Sequence, residues 1–223
     1  MADLWAGYGQ TIVLRGVTLN VDRGEVVCVM GRNGAGKTTL LKALMGALPK
    51  TGSVRLHGSD IGRWPGHRIN AAGMVWVPQD DSIFPGLTIR EHLTIALGKD
   101  VEEGIESARS LFPVLGERLD QEAQTLSGGE RKMLGLAQAL IVKPSVVLMD
   151  EPTEGVAPVI VEILVQAIST VAREAAVVLV EQNIDTALAL GSRAHILEQG
   201  SIVESGDVHE LHDRGILEQR LAL

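Results

Sequence analysis

Residues 31–38 follow the spacing G-x-x-x-x-G-K-T, and a second threonine, Thr39, comes directly after them. The apolar run at residues 25–30 precedes this loop and has the length of a buried strand. Residues 40–45 follow it, are rich in helix formers and end at Gly46. The sequence therefore predicts a strand, a glycine-rich loop and a helix in succession, as in an α/β fold.

The loop has the chemistry of a phosphate-binding site. Its glycines, Gly31, Gly34 and Gly36, allow consecutive backbone N–H groups to point inward and form a concave anion site at a helix N-terminus. Lys37 can reach the β- and γ-phosphates of a nucleotide, and the Thr38 hydroxyl can ligate Mg²⁺. The plainer alternative is a glycine turn that caps a helix. We favour the nucleotide site because a strand and a helix flank the loop, as this motif requires.

Composition and charge narrow the class of protein. The 223 residues suit one domain with a subdomain, and the net charge of −8 argues against binding to nucleic acid. The single cysteine, Cys28, lies in a predicted strand, so no intramolecular disulfide can form and a reducing compartment is expected. No apolar run has the length of a membrane span, and residues 1–5 lack the character of a signal peptide. We therefore expect a soluble, cytoplasmic protein.

The amino-terminal part is predicted to be rich in strands. Its expected elements are strands at residues 12–14, 16–21, 53–56 and 74–77 and a short helix at residues 65–72. Tyr8 precedes all of them. Its ring either packs against the strands or stacks on an adenine, and the pattern alone does not separate these two roles.

The middle of the chain, residues 80–142, has a helical pattern and no strand signal. Gln79 leads into an irregular stretch at residues 80–86, and a capping-box pattern then starts the first of the helices. We therefore predict one domain in which a helical subdomain, residues 80–142, is inserted into a strand-bearing core formed by residues 1–79 and 143–223.

Residues 127–130 read S-G-G-E. Ser127 and Glu130 have the spacing of a capping box at the start of a helix. Gly128 and Gly129 are poor helix formers, however, and suit a place where bare N–H groups approach an anion. We favour the anion-facing role over the plain cap.

Two further predicted strands end in polar residues. One leads into Asp150 and Glu151, and the other is followed by Gln182. In parallel sheets ligands bind at the carboxyl ends of strands, where the phosphate loop also lies. Asp150 would then hold Mg²⁺ through water, Glu151 would polarise the attacking water, and Gln182 would point toward the γ-phosphate. The plain alternatives are two acids at a strand end and an ordinary polar loop.

The order of these segments resembles that of the ATP-binding subunits of ABC transporters over nearly the whole chain. The matching motifs are the Walker A loop at residues 31–38, the Q-loop glutamine Gln79, the signature at residues 126–130, the Walker B acids Asp150 and Glu151, and the adenine-stacking aromatic Tyr8. The resemblance implies a P-loop NTPase core with a mixed sheet and flanking helices. It also implies an N-terminal antiparallel β subdomain beside the helical insert.

The resemblance assigns roles to individual residues. Those expected to bind ATP are Tyr8, Gly31, Asn33, Gly34, Ala35, Gly36, Lys37, Thr38 and Thr39, together with Ser127, Gly128 and Gly129 of a second subunit. Those expected to hold Mg²⁺ are Thr38, Gln79 and Asp150. Those expected to act in hydrolysis are Glu151, Gln182 and Gln79.

The resemblance also implies partners. Two ATP-binding subunits, identical or different, would enclose two ATP molecules head to tail. Hydrolysis would open this sandwich, and residues 79–86 with the helical insert would pass the motion to two integral membrane permease subunits. A substrate-binding protein would act indirectly. The chain is therefore expected on the inner face of the cell membrane as a peripheral, cytoplasmic subunit.

The sequence departs from the family pattern at two positions. Gln182 stands where a histidine is usual, and Ala157 stands where an aspartate is usual. A glutamine can hydrogen-bond to the γ-phosphate, but it cannot carry a proton as histidine does. Glu151 is therefore the expected base.

These departures narrow the branch of the family. Together with I-F-P-G-L-T at residues 83–88 and V-E-Q-N at residues 180–183, they resemble the subunits of branched-chain amino acid importers. The alternative is a urea or short-chain amide importer. Gln79 weakly favours this alternative, because many branched-chain subunits have glutamate at that position.

Two other classes of protein compete with a transporter subunit. A soluble ABC ATPase that acts on ribosomes or DNA usually has two cassettes, a long coiled coil or basic arms, and this sequence shows none of these. A small-molecule kinase with a phosphate loop would leave residues 127–129 unexplained. We therefore favour a subunit that energises uptake.

Overall fold

A six-stranded sheet forms the centre of the molecule, and the phosphate loop follows one of its inner strands. The computed structural model describes residues 1–79, 83–97 and 101–221. In chain order the strands are β1 (Ala2–Tyr8), β2 (Thr11–Val17), β3 (Val26–Met30), β4 (Lys50–Ser53), β5 (Arg55–Leu56), β6 (Ser59–Asp60), β7 (Met74–Val77), β8 (Val146–Asp150), β9 (Ala176–Glu181), β10 (Arg193–Glu198) and β11 (Ser201–Asp207). The helices are α1 (Lys37–Leu44), α2 (Gly66–Ala71), α3 (Ile89–Leu97), α4 (Val101–Leu111), α5 (Pro113–Gly116), α6 (Gly128–Leu140), α7 (Pro158–Ala172), α8 (Ile184–Leu190), α9 (Val208–Asp213) and α10 (Ile216–Leu221), with a 3₁₀ turn at Ala123–Thr125.

The central sheet has the strand order β11-β10-β3-β9-β8-β7 and is parallel except for the antiparallel pair β10–β11. Every residue of β3, β8 and β9 is buried, because side chains pack on both faces of the sheet. Cys28 and Met30 face one apolar cluster, whereas Val29 faces the other. Burial on both faces explains why these strands read as continuous apolar runs. The predicted mixed α/β sheet with flanking helices is confirmed.

The predicted antiparallel β subdomain is also confirmed, as a three-stranded sheet with the order β2-β1-β4. The separate strand predicted at residues 16–21 is wrong. Gly16 and Val17 finish β2, and residues 18–21 are irregular. Leu19 is buried there and exchanges backbone hydrogen bonds with Met1, so the segment continues beside the start of β1 without forming a strand of its own.

The single strand predicted at residues 53–56 is also wrong. The chain forms β4 against β1 and then breaks at Val54, which is buried. It continues as β5, which pairs with β6 in a small hairpin. The apolar pattern marked a buried segment correctly, but it did not show that the segment changes partners.

Between β7 and β8, the described residues form helices α3 to α6 and no strand. Helix α3 packs against α4 and α6. This arrangement supports a helical subdomain at residues 80–142, which stays a prediction. Residues 80–82, part of the predicted irregular stretch, lie outside the described residues. None of the helices in the described ranges has both the length and the apolar character that a bilayer crossing requires.

Candidate active site

The phosphate loop depends on glycine for two different reasons. Gly34 and Gly36 have φ angles of 82° and 111°, in the left-handed region that other residues rarely adopt. Gly31 has no such angle, but a Cβ atom there would lie 2.4 Å from the carbonyl oxygen of Leu197. The loop therefore has to follow the neighbouring strand β10 closely. It feeds helix α1, whose N-cap is Gly36.

The side chain of Lys37 folds back over this loop. Its Nζ donates hydrogen bonds to the carbonyl oxygens of Gly31, at 2.6 Å, and Arg32, at 3.3 Å. The same Nζ lies 2.9 Å from Oε1 of Glu151, and both side chains are less than a tenth exposed. The structure thus joins the predicted phosphate-binding cation to the predicted base.

The other predicted loop residues surround this lysine. Thr39 and Ala35 are buried, Thr38 is half-buried, and Asn33 is exposed. Tyr8 lies at the end of β1 with 47% of its surface exposed, so its ring is not packed into the core. This exposure argues against the alternative in which the ring packs against the strands. The contact of the ring with adenine stays a prediction.

Glu151 follows β8 with a backbone conformation that is unusual for its residue type. Its φ is 48°, although it carries a Cβ atom, and its N–H donates to the carbonyl oxygen of Val180 at 2.9 Å. Its own carbonyl oxygen accepts from Lys132 Nζ at 3.2 Å. Backbone conformations of this kind cluster at functional sites, because the surrounding structure must hold them in place.

Asp150 carries a buried carboxylate whose two oxygens have no hydrogen-bond partner among the described residues. Burial and the charge of Glu151 raise the pKa of Asp150, whereas the nearby Thr38 hydroxyl and the charge of Lys37 lower it. The Thr38 hydroxyl does not reach normal hydrogen-bond geometry, so within the described part of the chain both carboxylate oxygens remain unpaired. Leaving such a group unpaired is costly, so its position beside Thr38 fits a bound cation. Within the described ranges no cluster of three or more His, Cys, Asp or Glu side chains suits a metal.

Gln79 follows β7 and reaches the same carboxylate. Its Nε2 donates to Oε2 of Glu151 at 3.3 Å and also to the carboxylate of Glu154. The predicted Q-loop glutamine and the predicted base are therefore in direct contact. Sequence reasoning assigns no role to Glu154 or Lys132.

Gln182 follows β9 and is half-buried. It lines, together with Glu151, a surface cavity of about 790 Å³ at the carboxyl ends of β8 and β9. Its N–H donates to Oε2 of Glu181 at 3.2 Å. The strand end therefore places Gln182 beside the predicted base, as the parallel-sheet argument expected. Sequence reasoning assigns no role to Glu181, although an acidic residue at the end of a buried strand is itself a signal.

Ser127 forms the capping box that its spacing predicts. It is the N-cap of α6, its Oγ accepts from the N–H of Glu130 at 3.3 Å, and Oε2 of Glu130 accepts from the N–H of Ser127 at 2.9 Å. A Cβ atom on Gly129 would lie 3.1 Å from Ile160 of α7, whereas the place of one on Gly128 is nearly open. Packing therefore explains Gly129 but not Gly128. The anion-facing role of these residues stays a prediction.

Comparisons with known proteins agree with this arrangement. A family model described as ABC transporter matches residues 14–154. The high-affinity branched-chain amino acid transport ATP-binding protein BraG of Pseudomonas aeruginosa is 39% identical, over 93% of this chain and 89% of its own length. The probable branched-chain amino acid transport ATP-binding protein LivF of Archaeoglobus fulgidus is 36% identical, over 92% of this chain and 90% of its own length.

Solved structures share the fold. An ATP-binding subunit of an ABC transporter superposes with a TM-score of 0.86 at 25% identity, covering all of this chain and 98% of that one. The ADP conformation of an ATP-binding cassette gives a TM-score of 0.84 at 24% identity, with full coverage of both chains, and this likeness concerns the fold alone. Sequence family and fold lead to one conclusion: the chain belongs to the ABC transporter family and is an ATPase of that family.

Proposed function

We propose that this chain is the ATP-hydrolysing subunit of an importer for branched-chain amino acids. The observation that carries the proposal is the convergence of Lys37, Asp150 and Glu151 at the carboxyl edge of the sheet in an ABC ATPase. The substrate class rests on the two relatives named for branched-chain amino acid transport. A urea or short-chain amide importer is the alternative that the experiment below separates.

ATP would bind along the phosphate loop. The backbone N–H groups of residues 31–36 and the N-terminus of α1 would hold the phosphates, and Lys37 would contact the β- and γ-phosphates. Because Lys37 is now paired with Glu151, nucleotide binding would exchange one anionic partner for another. Thr39 would also contact the phosphates, and Tyr8 would stack on the adenine.

The residues around Asp150 fit Mg²⁺. Thr38 would ligate the ion through its hydroxyl, and Asp150 and Gln79 would hold it through water or directly. Bound Mg²⁺ neutralises charge that develops on the transferring phosphoryl group. The unsatisfied oxygens of Asp150 support this assignment.

Glu151 would act as the general base. Glu151 and Gln182 both line the cavity at the carboxyl ends of β8 and β9, so a water held between the two residues could lose a proton to Glu151. Gln182 would donate a hydrogen bond to the γ-phosphate, and Gln79 would orient Glu151 through the contact already present. Phosphoryl transfer depends mainly on positioning and charge stabilisation. Gln79 and Gln182 could therefore contribute through hydrogen bonds alone, although their neutral amides carry no proton.

The complete site would require a second ATP-binding subunit. Ser127, Gly128 and Gly129 would close over the γ-phosphate of the ATP that the other subunit holds. Gly128 supports this role, because nothing in its surroundings requires a glycine there. The second subunit is either another copy of this chain or a different chain.

The permeases would dock where the helical segment meets the core. A groove of about 390 Å³ lies between β7, α3 and α6, and it is lined by Gln79, Trp76, Ile95 and Val142. Ile95 and Val142 both line this groove and are 59% and 40% exposed, so the groove presents apolar surface to solvent. A peripheral place on the inner face of the membrane follows from this docking. Gln79 would link the groove to Glu151.

The proposal is tested by purifying the tagged chain from detergent-solubilised native membranes and identifying its partners by mass spectrometry. Two permeases, a second ATP-binding subunit and an associated binding protein are expected. That binding protein is then titrated with leucine and with urea. Tight binding of leucine supports the proposal, tight binding of urea replaces its substrate, and ribosomal or DNA-repair partners without membrane proteins would overturn the transport role.

A further inference from the structure

Glu181 occupies the most central position at the carboxyl edge of the sheet. It ends β9, which lies between β3 and β8, and it pairs in register with Met30, the residue before the phosphate loop. On the other side, its neighbour Val180 pairs with Asp150 and accepts a hydrogen bond from Glu151. The backbone of Glu181 therefore lies between the strand that leads into the phosphate loop and the strand that leads into the predicted base, and only 2% of the residue is exposed.

The carboxylate of Glu181 accepts hydrogen bonds from two different segments. Its Oε1 accepts from Thr153, through the hydroxyl at 2.7 Å and the N–H at 3.4 Å. Its Oε2 accepts from the N–H groups of Gln182, at 3.2 Å, and Asn183, at 3.3 Å. Thr153 belongs to the segment after the Walker B acids, whereas Gln182 and Asn183 belong to the segment after β9. One buried side chain thus joins the two segments that flank the site of hydrolysis.

All of these partners are neutral donors. Burial raises the pKa of Glu181, and the hydrogen bonds from Thr153, Asn183 and Gln182 oppose that shift. A buried carboxylate held only by neutral groups is costly, so packing alone does not explain its presence. The free-energy cost of burying this carboxylate is explained if the fold requires one side chain here whose two oxygens accept hydrogen bonds from two different segments.

We propose that Glu181 is a positioning residue for ATP hydrolysis, which sets the direction of Gln182 by fastening its backbone to Thr153. This inference rests on the proposed function, because it assumes that Gln182 contacts the γ-phosphate and that Glu151 is the base. Through Thr153, Glu181 also holds the chain directly after Glu151. The relative placement of base and phosphate donor would thus depend on one carboxylate.

Because the contacts of Glu181 are hydrogen bonds to its two oxygens, a substitution that changes one oxygen tests their role directly. In Glu181→Gln the side chain keeps its shape, but one oxygen becomes an NH₂ group that faces N–H or O–H donors. If the NH₂ group faces Gln182 and Asn183, their N–H groups lose their acceptor. If it faces Thr153, the hydroxyl can turn to accept from it, and only the N–H of Thr153 loses its acceptor. Thr153→Val removes the hydroxyl donor at nearly constant volume, and Thr153→Ser retains it.

The test measures ATP hydrolysis by the full chain assembled with its transporter partners, alongside ATP affinity and the melting temperature of the chain. For Glu181→Gln and Thr153→Val, kcat is expected to fall about 10- to 100-fold, since small misplacements of a reacting group cost up to about 10²-fold. KM and ATP affinity should stay unchanged, and Thr153→Ser should restore kcat. Glu25→Gln is the matched control, because Glu25 is paired with Arg193 at the opposite end of the sheet.

Two results would overturn the inference. The first is normal kcat in both Glu181→Gln and Thr153→Val. The second is a loss of kcat that runs parallel to losses of ATP affinity and melting temperature, as for a purely structural residue. Glu151→Gln separates this inference from the proposed function: if that variant keeps turning over, the proposed site itself is wrong. If it stops turnover while the Glu181 and Thr153 variants stay active, only the positioning role fails.

Discussion

The ammonium group of Lys37 and the carboxylate of Glu151 form a buried ion pair with an Nζ–Oε1 distance of 2.9 Å. The first is the predicted partner of the ATP phosphates, and the second is the predicted base for hydrolysis. Each neutralises the other in a place where an isolated charge would be costly. If Lys37 binds the phosphates as proposed, ATP would compete with Glu151 for Lys37 and would free the carboxylate of Glu151 to act as base.

Lys37→Ala is expected to weaken ATP binding by about 100-fold, equivalent to about 3 kcal/mol, because a charge-assisted contact with phosphate is lost. It should also lower the free energy of unfolding by about 3 kcal/mol, since Glu151 is left buried without its cation. Both quantities can be measured on the full chain, by calorimetric titration and by urea denaturation. Lys42→Ala, which removes a cation from the same helix, is the control.

The double variant Lys37→Ala/Glu151→Gln isolates the ion pair. Because the second change removes the unpaired charge, it should return about 1–3 kcal/mol of the lost stability without restoring ATP binding. Unchanged ATP affinity in Lys37→Ala would refute the assignment of the phosphate site. Strictly additive losses of stability would show that the pair contributes no coupling.

Glu151→Gln is expected to lower kcat about 10²- to 10⁴-fold, because an amide cannot accept the proton of the attacking water. ATP binding should persist, so the variant should accumulate as an ATP-bound dimer visible by size-exclusion chromatography. Glu162→Gln, on α7 at the edge of the same cavity, is the control and should turn over normally. Normal turnover in Glu151→Gln would remove Glu151 from the role of base.

Much of the site follows from local sequence, and the reason is physical. The glycine loop and the buried strands β3, β8 and β9 have short-range patterns that fix their conformation. The rule that ligands bind at carboxyl ends of parallel strands then brings Asp150, Glu151 and Gln182 to one edge. These predictions needed no knowledge of the strand order.

Contacts between segments could not be predicted in this way. The Lys37–Glu151 pair and the Glu181–Thr153 hydrogen bond exist because β9 lies between β3 and β8. Strand order is decided by how the whole chain packs, and no local pattern carries it. The same limit explains the error at Val54, where an alternating stretch that is continuous in sequence passes from one sheet to another.

Asp150→Asn is expected to raise the Mg²⁺ concentration for half-maximal ATP hydrolysis about 10- to 100-fold, as for residues that hold a metal through water. The amide has half the acceptor capacity of the carboxylate and no charge. The measurement is a Mg²⁺ titration at saturating ATP, with Asp120→Asn on the surface as the control. An unchanged Mg²⁺ requirement would contradict the assignment of Asp150 as a group that holds the ion.

Gln182→His and Gln182→Ala test the unusual glutamine. Histidine can also donate a hydrogen bond to the γ-phosphate, so its variant should bind ATP within about threefold of the original chain, a difference below about 0.7 kcal/mol. Alanine cannot donate, and kcat should fall about 10²-fold, as on loss of one transition-state donor. Steady-state kinetics and ATP titration are the measurements. Loss of ATP binding in Gln182→His would mean that this segment does not face the phosphate.

Ser127 caps helix α6 and is proposed to face the γ-phosphate of the second subunit's ATP. Substitutions that keep the cap but differ in charge separate these two roles. The Ser127 capping box stabilises α6, and replacement by alanine should cost about 1 kcal/mol of stability. Asparagine and aspartate are both good N-cap residues, so Ser127→Asn and Ser127→Asp should each keep the helix start. Only the aspartate would place a negative charge opposite the γ-phosphate of the second subunit's ATP.

Both variants should keep the helix start, but Ser127→Asp should melt at a lower temperature than Ser127→Asn because its carboxylate faces that of Glu130. The two variants should also differ in assembly. Ser127→Asp is expected to weaken ATP-dependent dimerisation by about 3 kcal/mol, or about 100-fold, because facing like charges cost several kcal/mol. Ser127→Asn should dimerise far better, since it has the same length and no charge. Analytical ultracentrifugation in the Glu151→Gln background measures both. Equal dimerisation of the two variants would leave Ser127 as a helix cap and place the second subunit's phosphate contact elsewhere.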